Sequence, residues 1–382
     1  MKTTVLIIII PLLAAIKGFA QIPQSPDSVN PNGKKIGAWT MLYDGNWKET
    51  KNMDSVKYYR KIAFLDGKPS GVVKDYYLSG KILWEGNLEA VNPPLVGNGL
   101  CTWYSENGNI RKKINYFNGL PNGEYQYYFP NGQQSIRGFM KSGLKDSLTI
   151  YYFPNGKIWS KIEFRQDSLW DVLFSNDSLG NSLPVGDLKN GNGYHIDYYM
   201  NGKKSMEGSI KNGVKTGSYK IYGEDDSWAE GNYIDGKMKG FWINWYSKDK
   251  ICSEGEYKSD VKEGFWREYE TDGSCWEGEI IHGKPDSRWA GWYSTGNKKG
   301  EHYYQGGKRE GLWIDWYENG KELSVGSFMD DLKVGTWTEY NIKGKKFIGK
   351  YINDVKEGEW EWYGSDGTYK GKIFYKNGVQ QN

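Results

Sequence analysis

Histidine and cysteine are scarce, with three of each in 382 residues. His195, His282 and His302 stand at no metal-ligand spacing, so no metal, no cofactor and no histidine-based active centre is expected. No phosphate-cradling GxxxxGK[ST] loop occurs. An excess of one charge is also missing. With Lys2 and Lys17 of the N-terminal leader set aside, 48 basic residues face 47 acidic ones. Nucleic-acid binding, which needs a basic excess, is excluded on that ground. No apolar helical period is sustained anywhere, and 50 glycines would weaken helices in any case.

A long apolar run occurs once, over residues 5–16. It is too short to span a bilayer comfortably, and Pro11 interrupts it. With Lys2 ahead of it and Gly18 and Ala20 behind, residues 1–20 read as a secretory signal peptide cut after Ala20. The expected localisation is export to the periplasm, cell surface or medium. The first cysteine is Cys101, so no lipoprotein anchor is expected, and neither is membrane association. Residues 21–36, with Pro23, Pro26 and Pro31, read as a loose linker.

Aromatics and glycines, by contrast, are plentiful and ordered. The clearest copy of the pattern is GLWIDWYENGKELSVGSFMDDLKV, residues 311–334. With Gly311 as zero, Trp313 is at +2, Trp316 and Tyr317 at +5 and +6, Asn319 and Gly320 at +8 and +9, Gly326 at +15 and Phe328 at +17. β-formers ahead of Asn-Gly predict a hairpin, with a tight type I′ turn there because both residues tolerate positive φ. Strands through WIDWY and ELSVGSF follow, and a second turn at MDDLKVG leads into the next copy. Gly326 lies inside a strand, where glycine weakens pairing. The expected reason is close approach of an aromatic ring from the neighbouring strand.

The opening position recurs at Gly37, Gly71, Gly99, Gly123, Ser147, Gly193, Gly217, Gly240, Gly264, Ser287, Gly311, Gly335 and Gly358, and from Gly193 each step is 23 or 24 residues. One degenerate copy fits between Ser147 and Gly193, around Trp170, giving about 14 units. The expected domains are an N-terminal array with insertions over 37–164, a degenerate repeat or loop over 165–192, and a regular C-terminal array over 193–382. Extra sequence at 46–66 and a Pro93-Pro94 loop at 88–98 interrupt the first array. The fold expected is all-β, an elongated single-layer antiparallel sheet of tandem hairpins whose 18 Trp and 30 Tyr supply the core.

GYHIDYYMNGKKSMEGSIKNGVKTG from Gly193 and GLWIDWYENGK from Gly311 resemble the MORN repeat, and more closely its bacterial variant in proteins labelled YwqK-type antitoxins. That variant reads G-x-W-x-x-Y-Y-x-N-G-K, then G-x-Y-x-N-G-K-x-x-G. The resemblance runs over nearly everything after residue 37. It implies a scaffold or interaction surface and, by the antitoxin label, a toxin-neutralising partner. In some MORN proteins it also implies links to membranes and phospholipids.

Carboxylates recur at +4 (Asp75, Asp197, Glu268, Asp315, Glu339), and lysines recur two before the opening position (Lys145, Lys215, Lys262, Lys333, Lys356). A glycosidase needs one special carboxylate pair, so columns repeated in every unit read as a solvated stripe. Cys252 and Cys275 occupy equivalent places in consecutive hairpins, ~9.6 Å apart, too far for a disulfide, which needs about 7 Å or less. The candidate binding residues are Trp242, Trp266, Trp289, Trp313, Trp337 and Trp360 of the +2 column, with Tyr246 and Tyr317 at +6. These rings serve as a binding surface or as the core of the sheet, and a single layer favours the core. The function expected is a non-enzymatic scaffold for an unidentified protein partner, with a glycan-binding surface or a toxin-neutralising role as alternatives.

Overall fold

A computed structural model describes residues 22–23, 25–91 and 94–381, so the expected signal peptide lies outside the described residues. Among them the single helical element is the 3₁₀ turn Met53–Ser55, and strands make up most of the rest. The chain forms two units, Met1–Leu183 and Pro184–Asn382.

The hairpin array expected from the sequence is present. In the second unit 17 strands, from Gly193–Tyr198 to Val379–Gln381, pair antiparallel with each strand next to its neighbour in sequence. In the first unit a 14-stranded sheet runs from Ser28–Val29 to Ser182–Leu183. The degenerate copy keeps its first strand, Ser168–Asn176, while its return strand shrinks to the two residues Ser182–Leu183, and the first sheet ends there.

Each hairpin has two kinds of corner, and the tight one is not where Asn-Gly suggests. At Asn319-Gly320 only Gly320 has positive φ, +80°. Tyr317 N–H donates to Lys321 O, Gly320 N–H donates to Tyr317 O, and Lys321 N–H donates to Asn319 Oδ1. The Asn319 side chain thus braces its own corner and keeps its backbone right-handed, which makes a longer loop with glycine in the left-handed position. The two-residue corners with both φ positive lie at the other end, as at Asp330 (+49°) and Asp331 (+70°).

The opening position adds a bulge to the first strand. The ladder jumps from His302 opposite Trp313 to Tyr304 opposite Arg309, and Gly311, φ +83°, sits in the skipped segment. Ser287 and Ser147 fill that position with φ of +56° and +73°.

Two segments depart from the linker and loop expected for them. Within 21–36, Ser28–Val29 pairs with Lys35–Tyr43 at the sheet edge, and Thr40 Oγ1 donates to Pro23 O while Thr40 N–H donates to Asp27 Oδ1. The 88–98 segment folds as a small hairpin of its own, Leu88–Val91 against Pro94–Val96.

Candidate binding site

On one face of the second sheet, +2 rings and +15 glycines alternate. Trp242 stands opposite Gly255, which stands opposite Trp266, which stands opposite Gly278 and then Trp289. Each ring lies over the glycine of the preceding hairpin. A Cβ placed on Gly231, Gly255, Gly278, Gly326 or Gly349 would come within 2.6 Å of the Trp242, Trp266, Trp289, Trp337 or Trp360 ring, respectively. The close approach inferred for Gly326 is therefore a rule of the array.

Between successive tryptophans sits the +17 ring, turned edge-on. Phe328 meets Trp337 at 88°, Tyr351 meets Trp360 at 87°, and Tyr257 meets Trp266 at 90°, with centroids 5.2–5.3 Å apart. Such edge-to-face pairs add roughly 0.5–1.5 kcal/mol beyond the area they bury. Indole N–H groups of Trp242, Trp266, Trp289 and Trp337 donate to backbone carbonyls of Asn232, Glu256, Glu279 and Ser327.

Trp242, Trp266, Trp289, Trp337 and Trp360 are buried, and Trp313 is partly buried. All six are core. Tyr246 and Tyr317 lie at the rim and tie consecutive corners together, their hydroxyls donating to Tyr269 O at 3.0 Å and Tyr340 O at 2.9 Å. Tyr77, Tyr199 and Tyr293 make the same bond one copy onward. The lysine and carboxylate columns, expected as a solvated stripe, instead roof the rings. Lys262, Lys333 and Lys356 lie 4.1, 4.0 and 3.7 Å from the centroids of Trp266, Trp337 and Trp360. Lys262 also pairs with Glu268, and Lys333 with Glu339. Cations are drawn to these ring faces, so the long side chains fold over them.

His195 takes a +2 place, buried opposite Gly208. His302 takes a +15 place, where a glycine would stand. Its ring is stacked between Trp276 and Trp313, with centroids 4.3 and 3.4 Å away, and its Nε2 lies 2.8 Å from Asp315 Oδ1. Burial holds the pKa of both histidines below the ordinary value, against the pull of Asp197 and Asp315. Among the described residues no cluster of His, Cys, Asp and Glu is arranged to hold a metal ion. All three cysteines are unpaired; buried Cys101 fills a +2 place over Gly86, and burial raises its thiol to about 11.

The site that the sequence does not reveal lies in the first unit. Residues of the two interrupting segments, 46–66 and 88–98, line one open cavity of about 750 Å³. Trp47, from the first insertion, stacks face to face on Tyr58 at 4.7 Å and 2°. Leu88, Val91 and Val96 come from the second. At its base Arg60 Nε and Nη2 donate to Asp75 Oδ1 and Oδ2 at 2.6 and 2.8 Å, both side chains being buried. Burial raises the Asp75 carboxyl, and Arg60 opposes that rise. The only sequence signal for this site is that both insertions break the rhythm.

Fold and surfaces together define a repeat scaffold of tandem β-hairpins. Three segments, residues 98–118, 145–166 and 356–377, match the family described as MORN repeat variant. Copies of that repeat therefore occur in both units. No curated protein matches the chain.

Proposed function

We propose that the chain is a non-enzymatic, exported scaffold that holds a protein partner against the face of the C-terminal sheet opposite the tryptophan column. The tryptophans themselves are consumed in holding hairpin to hairpin, so the surface left for a partner is the outward one. The observation that carries this reading is the recurrence of exposed apolar side chains at +1. Phe241 is 53% exposed, Phe265 is 58% exposed and Leu312 is 41% exposed. Phe241 and Phe265 stand two strands apart, ~10 Å, each opposite a glutamate, Glu256 and Glu279. Apolar centres rimmed by charge are what transient protein interfaces use. Export rests on the leader in residues 1–20. Neutralisation of a toxic protein is the particular partnership that the resemblance implies, and growth rescue from a co-encoded toxic protein tests it.

The test of the scaffold reading is site-specific photo-crosslinking in the envelope fraction. A crosslinker at Phe241 or Phe265 gives one discrete, saturable protein adduct, and the same group at exposed Tyr369 gives none. No adduct from either phenylalanine position overturns the reading.

A further inference from the structure

The cavity of the first unit is divided in chemistry. Its deep part is apolar: Trp84 and Leu88 are buried, with Leu83, Val91, Val96 and Trp103 beside them. Its mouth is charged and carries Lys48, Glu49 and Arg111, all exposed. At the base the Arg60–Asp75 pair is matched charge for charge and adds no net charge. Lys48 and Arg111 enter no ion pair among the described residues, and they outnumber Glu49. Behind the Trp103 wall, Lys112 lies 4.2 Å from the ring centroid. Burial first, and then the charge of Arg111, hold its pKa below the ordinary value. Glu106, which acts on Tyr77 together with Arg111, lies outside the lining; among the unpaired groups of the lining itself, cations outnumber carboxylates two to one.

A volume of about 750 Å³ suits a small organic molecule, and sites for such molecules are mostly apolar with a few polar groups fixing orientation. Two features show that the cavity is built rather than left over. Both interrupting segments contribute to it although Trp47 and Leu88 lie 41 residues apart in the chain, and the stacked Trp47–Tyr58 pair stiffens one wall.

We propose that this cavity binds a small organic carboxylate with an extended apolar body, the body lying between Trp84, Leu88 and Trp103 and the carboxylate facing Lys48 and Arg111. An apolar body of aryl or alkyl type fills the deep part and displaces water from it, which drives binding. The carboxylate finds charge-assisted donors at the mouth. Among the unpaired lining groups a cationic head would meet two like charges and one carboxylate. The residues of this site and those of the partner face belong to different units, so either reading can fail alone.

The test is a calorimetric titration of the purified full chain with 6-phenylhexanoate, 6-phenylhexan-1-ol and 6-phenylhexylamine at low salt. The acid binds saturably at one site per chain, at least about tenfold more tightly than the amine. Arg111→Gln with Lys48→Gln weakens the acid by about tenfold and leaves the alcohol unchanged; both residues are exposed, so the fold survives. Val96→Trp, which fills the deep part, abolishes binding of acid and alcohol alike. The proposal is overturned by any of three results: no saturable binding of the acid, an amine that binds as tightly as the acid, or acid affinity unmoved by the double substitution.

Discussion

Trp337 covers the Cα of Gly326 so closely that a Cβ built on the glycine would stand 2.1 Å from Trp337 Cδ2. The indole is itself fixed by its N–H to Ser327 O and by Phe328 edge-on at 5.3 Å, so it has nowhere to withdraw. A methyl group therefore has to push the strands apart. Gly326→Ala should destabilise the second unit by about 2–4 kcal/mol, an overpacking cost at the upper end of the usual range. The control is Gly320→Ala at the hairpin corner, which has open space around it and strains only the local backbone. Urea unfolding followed by tryptophan fluorescence separates the two, with a loss for Gly326→Ala at least twice that of the control.

The two serines in the opening position give a test of opposite sign. Ser287 holds φ at +56°, a left-handed conformation that side chains resist by roughly 1–2 kcal/mol. Glycine adopts it freely but loses more entropy on folding, which takes back part of the gain. Ser287→Gly should therefore stabilise by about 0.5–1 kcal/mol, and Gly335→Ser, at φ +68°, should destabilise by about 1 kcal/mol. A thermal midpoint that falls for Ser287→Gly would show that the hydroxyl bond to Asp286 Oδ1 outweighs the backbone strain.

How much of this was legible in the sequence depends on whether a feature is periodic. The ring over Gly326 could be read because glycine at +15 and an aromatic at +2 recur with the same spacing, and strand pairing then has to bring them opposite each other. The corner at Asn319-Gly320 was legible as a corner but not as a type. Asn-Gly suits a two-residue turn by backbone tolerance, and only the Asn319 side-chain bond to Lys321 N–H decides for the longer loop. The roofing of Trp266 by Lys262 escaped notice because a lysine column has the same spacing whether it faces water or an indole. Of the cavity only the two breaks in the rhythm were legible, not that they serve one site. Trp47 and Val91 belong to no repeat, and they line one cavity only because the intervening strands of the sheet bring their segments to it.

His302 and His195 make the second unit acid-sensitive. Each is neutral in the fold, with its pKa lowered chiefly by burial, whereas in the unfolded chain it titrates near the ordinary value. As pH falls through ~6.5 the unfolded chain takes up protons first, so it gains relative to the fold. Stability is fully present above that pH and declines below it. Around His302 the charged groups are Asp315, which favours the protonated ring, and Arg309, which opposes it. His302→Gly restores the common +15 residue and should remove part of the slope between pH 7 and pH 5. Urea midpoints across that interval check it, and a slope identical to that of the unaltered chain would contradict the assignment.

Arg60 and Asp75 form the last and most local case. Their side chains are 7% and 4% exposed, and two short hydrogen bonds join them below the cavity. Both have left water, and their attraction does little more than offset the cost of doing so. Removing one charge is therefore far worse than removing both. Asp75→Asn strands a buried guanidinium and should cost about 3–5 kcal/mol, while Arg60→Met with Asp75→Leu should be near neutral or stabilising by up to about 4 kcal/mol. Tyr43, whose ring lies 5.2 Å from the Arg60 guanidinium carbon, keeps an apolar neighbour in the double variant. Urea unfolding of the two variants beside the unaltered chain gives the comparison directly. If the double variant were as unstable as Asp75→Asn, the pair would be holding the strands together by more than the cancellation of two buried charges.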